Sequence, residues 1–277
     1  MAEVPAQRAP RPRLVATDLD GTLLHTDGTV TDRTRAVLTA LDDLGVPVVF
    51  TTGRPIRWME SLWDEVGGHG LAICSNGGIV YDVAQREVRT ARTIPADVLL
   101  DVGAAIRRAI PGSTFAVEST TGFAREHDFM PRLQVNTAPG VRSGTLEEIA
   151  DETVVKLLVR HEELEPEDYW RRVAEVVGER VISTWSSVGT LVEISAAGVT
   201  KASTLATLAA ELGAGPDEVI AFGDMPNDLP LLEWAGTSYA MANAHPTVLE
   251  LADHTAPRND EDGVAAVLSR VFDLSIG

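Results

Sequence analysis

The residues with the most chemical capacity sit together in the run Asp18-Leu19-Asp20-Gly21-Thr22-Leu23. Two carboxylates at i and i+2 can face one crevice where a strand unwinds into a loop. One is able to attack phosphorus while the other moves a proton, and both offer hard oxygen ligands to a magnesium ion. Gly21 permits a tight turn with its amides towards anionic oxygens. The competing explanation is a plain Asp-Gly turn after a strand.

Three further clusters carry complementary groups. Thr51-Thr52-Gly53-Arg54 places the Thr52 hydroxyl and the Gly53 amide just before an expected helix, whose N-terminus favours an anion, although Thr-Gly is also ordinary capping chemistry. Lys201, in Gly198-Val199-Thr200-Lys201, stands in a first helical turn where its charge opposes the helix dipole. In Gly223-Asp224-Met225-Pro226-Asn227-Asp228, Asp224 is a third carboxylate for a metal. Asn227 and Asp228 lie near enough in sequence to bond phosphate, Lys201 or metal-bound water, and Asp228 could equally cap the next helix.

What must position these groups is an alternation of short apolar runs and amphipathic stretches, the pattern of parallel strands joined by crossover helices. Leu14–Thr17 reads as a strand. Thr31 caps a helix carrying Val37, Leu38, Leu41 and Leu44, which Gly45 ends, and Pro47–Phe50 is the next strand. Pro55 then opens a helix, and Leu71–Cys74 follows as a third strand. Beyond Gly78 the rhythm changes. Ile79–Thr93 reads as a hairpin, Ser113–Glu118, Thr153–Arg160 and Arg180–Trp185 as strands, and Ala96–Ile110 and Glu165–Val177 as helices. Thr121–Thr145, with weak periodicity and several Pro and Gly, reads as a long functional loop or a partly disordered one. The α/β pattern resumes with a strand Leu191–Ile194, a helix Thr200–Leu212, a strand Glu218–Phe222, a helix Leu229–Trp234 and a strand Ser238–Met241. Helices over Pro246–Leu251 and Gly263–Phe272 close the chain. The expected organisation is a tail over 1–12, a core built from 13–83 and 188–277, and an inserted domain over 84–187. All four clusters then fall at strand ends on the ligand-binding edge of one open sheet.

Composition narrows the classes of ligand. The 277 residues carry a formal charge of −18, with no Lys/Arg stripe beyond the first thirteen residues, so a nucleic-acid partner is not expected. A small phosphorylated molecule is also an anion, and an acidic protein that binds one needs local positive charge from a metal or a well-placed lysine. Cys74 is the single cysteine and lies in an apolar strand, which excludes an internal disulfide framework and suits a reducing compartment. No apolar run is long enough to span a bilayer, and Met1–Arg13 lacks the apolar segment of a secretory signal, so the expected location is cytoplasmic with no membrane partner.

Asp18-Leu19-Asp20-Gly21-Thr22, Thr52-Gly53-Arg54, Lys201 and Gly223-Asp224 with Asn227-Asp228 resemble, in order, the four motifs of the haloacid dehalogenase-like hydrolases. Ser75-Asn76-Gly77-Gly78, the large insertion, and the ending Met241-Ala242-Asn243-Ala244 through Asn259-Asp260-Glu261-Asp262-Gly263-Val264 make the chain similar to the Cof-type phosphatases within them. The resemblance implies a Rossmann-like parallel-sheet core with a mobile inserted α+β cap. It implies a Mg2+-dependent phosphatase acting on a small phosphorylated metabolite through an aspartyl-phosphate. A phosphomutase or phosphotransferase using the same nucleophile is the alternative, and an inactive binding protein a more distant one. Carried over, the motifs make Asp18 the nucleophile and a metal ligand, and Asp20 the acid and base whose backbone carbonyl also binds magnesium. Leu19, Thr52, Gly53, Lys201 and Asn227 contact the phosphate, Asp224 ligates the metal and Asp228 supports it. The resemblance reaches the insertion only by position and size. Glu118, Arg125, Lys156 and Trp185 are its candidate substrate contacts, each with an ordinary exposed or packed role as the competitor.

Overall fold

The computed structural model describes residues 11–63, 66, 70–129, 141–185 and 189–276. Fourteen strands are described, in chain order β1 (Leu14–Asp18), β2 (Val48–Thr51), β3 (Leu71–Cys74), β4 (Ile79–Asp82), β5 (Glu87–Ala91), β6 (Thr114–Ser119), β7 (Gly122–Arg125), β8 (Arg142–Ser143), β9 (Val154–Arg160), β10 (Val181–Thr184), β11 (Leu191–Ala196), β12 (Val219–Gly223), β13 (Thr237–Met241) and β14 (His254–Ala256). The helices are α1 (Asp32–Asp43), α2 (Glu60–Trp63), α3 (Ala96–Ala109), α4 (Leu146–Ile149), α5 (Pro166–Val177), α6 (Lys201–Glu211), α7 (Leu229–Trp234), α8 (Pro246–Leu251) and α9 (Gly263–Val271).

One sheet has eight strands in the order β14-β13-β12-β1-β2-β3-β4-β5. Its strands from β14 to β3 are parallel, and β4 and β5 are added antiparallel. The chain leaves β1 towards β2 and β3 on one side, and later fills the other side through β12, β13 and β14. The order therefore reverses between β1 and β12, and such a switch point opens a crevice beyond the carboxyl ends of the strands. Leu14, Val15 and Ala16 of β1 are fully buried, which is why this strand is a continuous apolar run up to its terminal Asp18. Ala72, Ile73 and Cys74 of β3 are also fully buried, so that strand ends in an enclosed thiol.

The second sheet has six strands in the order β10-β11-β9-β6-β7-β8, antiparallel except for the β7–β8 pair. Helices α3 and α5 cover one face: Leu99, Val102 and Ile106 of the first and Tyr169, Val173 and Val177 of the second pack on Phe115, Leu157 and Ile194 of the strands. The alternate residues of the same strands point the other way, and among them Glu118, Lys156 and Glu193 are charged yet buried.

The architecture is α/β, a parallel-sheet core with an inserted α+β unit. Two strands fall in different sheets from those the sequence suggests. Leu191–Ala196 pairs with β9 and β10, so it belongs to the inserted sheet and not to the resumed core; Glu87–Ala91 pairs with β4 and remains in the first sheet. A buried apolar run looks the same in either sheet, so only pairing decides. The helix expected after Pro55 starts as a 3-10 turn, Ile56–Trp58, followed by α2, which is described over Glu60–Trp63, while 64–65 and 67–69 lie outside the described residues. Within the segment read as a long loop, β7 and β8 are ordered strands, while 130–140 lies outside the described residues, as does the expected tail up to residue 10.

Candidate active site

Asp18 ends β1 opposite Thr51 of β2, and its neighbour Thr17 lies opposite Phe222 of β12, so the first, second and fourth sequence clusters meet at adjacent strand ends. After Asp18 the backbone makes one wide turn over Leu19–Leu23, closed by Leu24 N–H donating to Leu19 O at 2.9 Å. Gly21 holds φ +75° within it, and a Cβ there would stand 2.3 Å from Asp224 Oδ2. Only glycine allows this approach of the loop to the Asp224 carboxylate.

Lys201 reaches the same point from the first turn of α6. The helix is anchored by a reciprocal cap in which Ser203 N–H donates to Thr200 Oγ1 and Thr200 N–H to Ser203 Oγ, each at 3.0 Å. Lys201 Nζ donates to Asp18 Oδ1 at 2.5 Å and to Asp228 Oδ1 at 2.7 Å, with Lys201 only 1% exposed. The other Asp228 oxygen accepts the Asp224 and Met225 N–H groups, both at 3.1 Å. Asp228 is thus committed on both oxygens, and its work is to fix the Asp224 loop and Lys201. It does not cap α7 with its side chain.

Asp18, Asp224 and Asp228 bring carboxylate oxygens within 4.8 Å of one another. Burial holds the Asp18 carboxyl well above the ordinary range, with Asp228 and Asp224 adding to the effect and Lys201 opposing it. Burial and the charge of Asp228 push Asp224 up to about 7, against the hydrogen bond it accepts from Thr22 Oγ1 at 3.0 Å. Burial alone would lower Lys201, but Asp18 and Asp228 overcome it and keep the ammonium charged. Three acids against one ammonium leave a surplus of negative charge that a divalent cation would neutralise. With Asp228 committed, Asp18 and Asp224 are the side chains that fit a hard cation of the magnesium type. The side chain of Asp20 is not in this group.

Asp20 lies at the mouth, gripped by Arg54 through Nε to Oδ2 at 2.8 Å and Nη2 to Oδ1 at 2.5 Å. Thr52 is buried, and its hydroxyl accepts Arg54 N–H at 3.0 Å. Behind Gly53 the chain first makes a 3-10 turn over Ile56–Trp58 and α2 begins only at Glu60, so an anion here relies on individual N–H groups. Asn227 donates from Nδ2 to Asn76 Oδ1 at 3.2 Å, and its buried Oδ1 has no partner among the described residues.

Of the four candidates in the inserted unit, two reach the core. Lys156 Nζ donates to Gly53 O at 2.6 Å, and Glu118 accepts Arg57 Nη2 at 2.5 Å and Nε at 3.1 Å. Arg125 instead donates to the carbonyls of Glu126, His127 and Phe129, bracing a turn, and Trp185 donates to Gly189 O. Sequence reasoning passed over Glu193 and Arg57. A carboxylate inside the apolar run Leu191–Ile194 was the available signal for the first; nothing in sequence distinguished the second. The closing segment, noted only as a family mark, buttresses the Asp18 loop: Asn243 Nδ2 donates to Gly21 O at 2.7 Å and Asn259 Nδ2 to Leu24 O at 3.0 Å.

A model of the haloacid dehalogenase-like hydrolases matches residues 15–268, a span containing every group just described. The chain belongs to the haloacid dehalogenase-like hydrolases. This hydrolase is 31% identical over 271 residues to the 5-amino-6-(5-phospho-D-ribitylamino)uracil phosphatase YitU of Bacillus subtilis, covering 95% of this chain and 99% of that one. It is 28% identical to a phosphoglycolate phosphatase of Methanopyrus kandleri, over 94% and 97% of the two chains. The crystal structure of SMU.1108c from Streptococcus mutans superposes with a TM-score of 0.84 at 22% identity, covering 95% of this hydrolase and 99% of that protein. The hydrolase is a phosphatase of this family, and the inserted sheet with its helices is its cap. Among the described residues no helix is long and apolar enough to cross a membrane.

Proposed function

We propose that this hydrolase is a magnesium-dependent phosphatase that releases inorganic phosphate from a small phosphorylated metabolite through an aspartyl-phosphate on Asp18. The observation that carries the reading is the buried bridge of Lys201 between Asp18 and Asp228, with Asp224 beside it, at the switch point of the sheet. Lys201 aligns the Asp18 carboxylate and supplies the fixed positive charge that lets one anion approach another. A bound divalent cation, held by Asp18 and Asp224 and by the backbone carbonyl of Asp20, would neutralise phosphoryl charge.

In the first half-reaction an Asp18 oxygen bonds to phosphorus as the bond from phosphorus to the ester oxygen breaks. The leaving alcohol takes a proton from Asp20, which must rotate off Arg54 to deliver it. In the second, Asp20 takes a proton from water as the water oxygen attacks the phosphoryl group. Asp18 is regenerated and phosphate leaves. Leu19, Thr52, Gly53 and Asn227 hold the phosphoryl oxygens, while the cap, opening and closing over the site, excludes bulk water and chooses the leaving group. The phosphate ester named for the Bacillus subtilis relative is the first substrate to test.

The deciding experiment compares the parent protein with Asp18→Asn on a panel of phosphomonoesters with magnesium. The parent releases phosphate, with no transfer to added sugars. The variant stays folded and loses at least about three orders of magnitude in kcat, the scale on which covalent catalysts respond to loss of the nucleophile. A variant retaining most of its turnover removes the aspartyl-phosphate from the scheme.

A further inference from the structure

We infer that the buried ion pair Lys156–Glu193 on the cap is a positioning device for the phosphate cradle, setting the orientation of Gly53 and Asn227 in the core when the cap is seated. The inference rests on the phosphatase reading, because the cradle it acts on is the one assigned to the phosphoryl group.

Lys156 and Glu193 lie on β9 and β11 of the cap sheet, 1% and 7% exposed, with Lys156 Nζ 2.6 Å from Glu193 Oε1. Each then makes a second contact that leaves the cap. Lys156 donates to Gly53 O at 2.6 Å. Glu193 Oε2 accepts Asn76 Nδ2 at 2.9 Å, and Asn76 Oδ1 accepts Asn227 Nδ2 at 3.2 Å. Gly53 and Asn227 both belong to the phosphate-contacting groups, so a single ion pair reaches the cradle from two sides.

The two arms work differently. On the Gly53 side, Lys156 holds the carbonyl of the Gly53–Arg54 peptide while Thr52 Oγ1 holds its N–H, and Asn76 N–H holds Thr52 O at 3.0 Å. Both peptide planes flanking Gly53 are thereby fixed, and in a trans peptide a captured carbonyl turns the N–H of the same plane to the opposite side. On the Asn227 side the device sets polarity. An ionised carboxylate only accepts, so Glu193 obliges Asn76 to present its NH2 to the cap and its oxygen to Asn227. Asn227 must then present its NH2 to Asn76, which takes one of the two hydrogens and leaves the other for a phosphoryl oxygen. Asn76 suits this linking position because its backbone holds φ 56°, ψ 32°, a left-handed conformation that asparagine tolerates. Neither Lys156 nor Glu193 touches the reacting atoms; both act through cradle groups.

The test uses the full chain with two variants, Glu193→Gln and the double Lys156→Met/Glu193→Gln. The double variant removes both charges together, so net charge and the long-range field on an anion are unchanged and no buried charge is left unpaired. Inorganic phosphate in magnesium buffer is titrated by calorimetry. The kcat and KM are measured on para-nitrophenyl phosphate, whose leaving group is too small to need the cap for recognition. The expected result is a cooperatively folded double variant whose phosphate Kd rises about tenfold and whose kcat falls about tenfold to a hundredfold, the loss associated with one or two charge-assisted hydrogen bonds. Glu193→Gln alone, which retains Lys156 on Gly53 O, falls between. A folded double variant with phosphate Kd and kcat within twofold of the parent overturns the inference, as does a double variant that fails to fold, since the pair is then structural only. If the parent itself neither binds phosphate nor hydrolyses any ester, the phosphatase reading has failed first.

Discussion

Asp224 is a residue whose chemistry is set by what surrounds it. Its carboxyl is held near 7 by burial and by Asp228, against an ordinary 3.8. Because the folded-state value is the higher one, folding retains a proton that the unfolded chain releases, so the contribution of this group to stability is complete below about pH 4 and is lost as pH rises through 7. Asp18 shifts in the same direction. In EDTA the thermal midpoint is therefore expected to fall by several degrees between pH 5.5 and pH 8. Magnesium, which binds the ionised folded site, is expected to restore it at pH 8 and to add little at pH 5.5. Scanning calorimetry at the two pH values checks both halves, and a magnesium-induced shift of equal size at each would remove Asp18 and Asp224 as the metal ligands. At this scale the sequence was most informative: Asp18, Lys201, Asp224 and Asp228 were all legible, because each is a charged residue next to a strand end or in a first helical turn. Glu193 and Arg57 were not. Their meaning comes from partners 37 and 61 residues away: a carboxylate inside the apolar run of β11 marks Glu193 without naming Lys156, and nothing beside Arg57, two positions after Pro55, points to Glu118.

Among the elements, α6 bears the tightest positional demand, since its first residue carries the ammonium of the site. Its N-terminus is held from three sides. The reciprocal cap holds it from within, Arg92 donates to Ser203 Oγ at 2.9 Å and Thr204 Oγ1 at 3.0 Å, and Thr204 Oγ1 donates to Gly77 O at 2.8 Å. Arg92 also donates to Gly198 O at 3.2 Å, tying together the two stretches where the chain passes between core and cap. Gly77 sits at φ +105°, and a Cβ on it would meet Thr200 O at 2.3 Å. Gly77→Ala is expected to destabilise the fold by about 1–3 kcal/mol from backbone strain, with a further loss from pushing Thr200 away. Because that push displaces Lys201, kcat is expected to fall while the fold survives. Urea unfolding and turnover of a small ester read the two effects, and unchanged values of both would mean that α6 is not seated by this contact. The helix itself was legible in the sequence as Thr200–Leu212, within a residue of its observed ends. Its seating on Gly77 was not, because the glycine lies 123 positions from the carbonyl that requires it.

For the whole molecule the decisive feature is a charged seam between two sheets. Besides Lys156 on Gly53 O, the seam contains Arg57 of the core, whose guanidinium lies 4.9 Å from the ring centroids of both Trp58 and Phe123 and pairs with Glu118 of the cap. Burial raises Glu118, and Arg57 counteracts it. Arg57→Ala leaves a buried carboxylate without its partner, a loss of about 3–5 kcal/mol if the cap stays seated. Swinging the cap away hydrates Glu118 and avoids that penalty. The variant is therefore expected to have a larger radius of gyration by small-angle scattering, a raised KM and a lowered kcat on para-nitrophenyl phosphate, because an unseated cap also takes Lys156 off Gly53 O and Glu193 off Asn76. A radius equal to that of the parent, together with an unaltered KM, would show that Arg57 does not hold the two parts together. The two-part architecture was legible from the change of rhythm after Gly78, but the sheet to which β5 and β11 belong was not, since pairing partners lie outside any local pattern. One further consequence follows from Cys74, enclosed at the end of β3 with its thiol pushed up to about 12 by burial. Near neutral pH it offers neither a thiolate nor a path for an alkylating reagent. The natural chain is therefore already a thiol-silent background. Cysteines introduced at exposed positions such as Asp43 of α1 and Arg108 of α3 would accept a pair of fluorophores without editing the interior, making cap motion visible in single molecules.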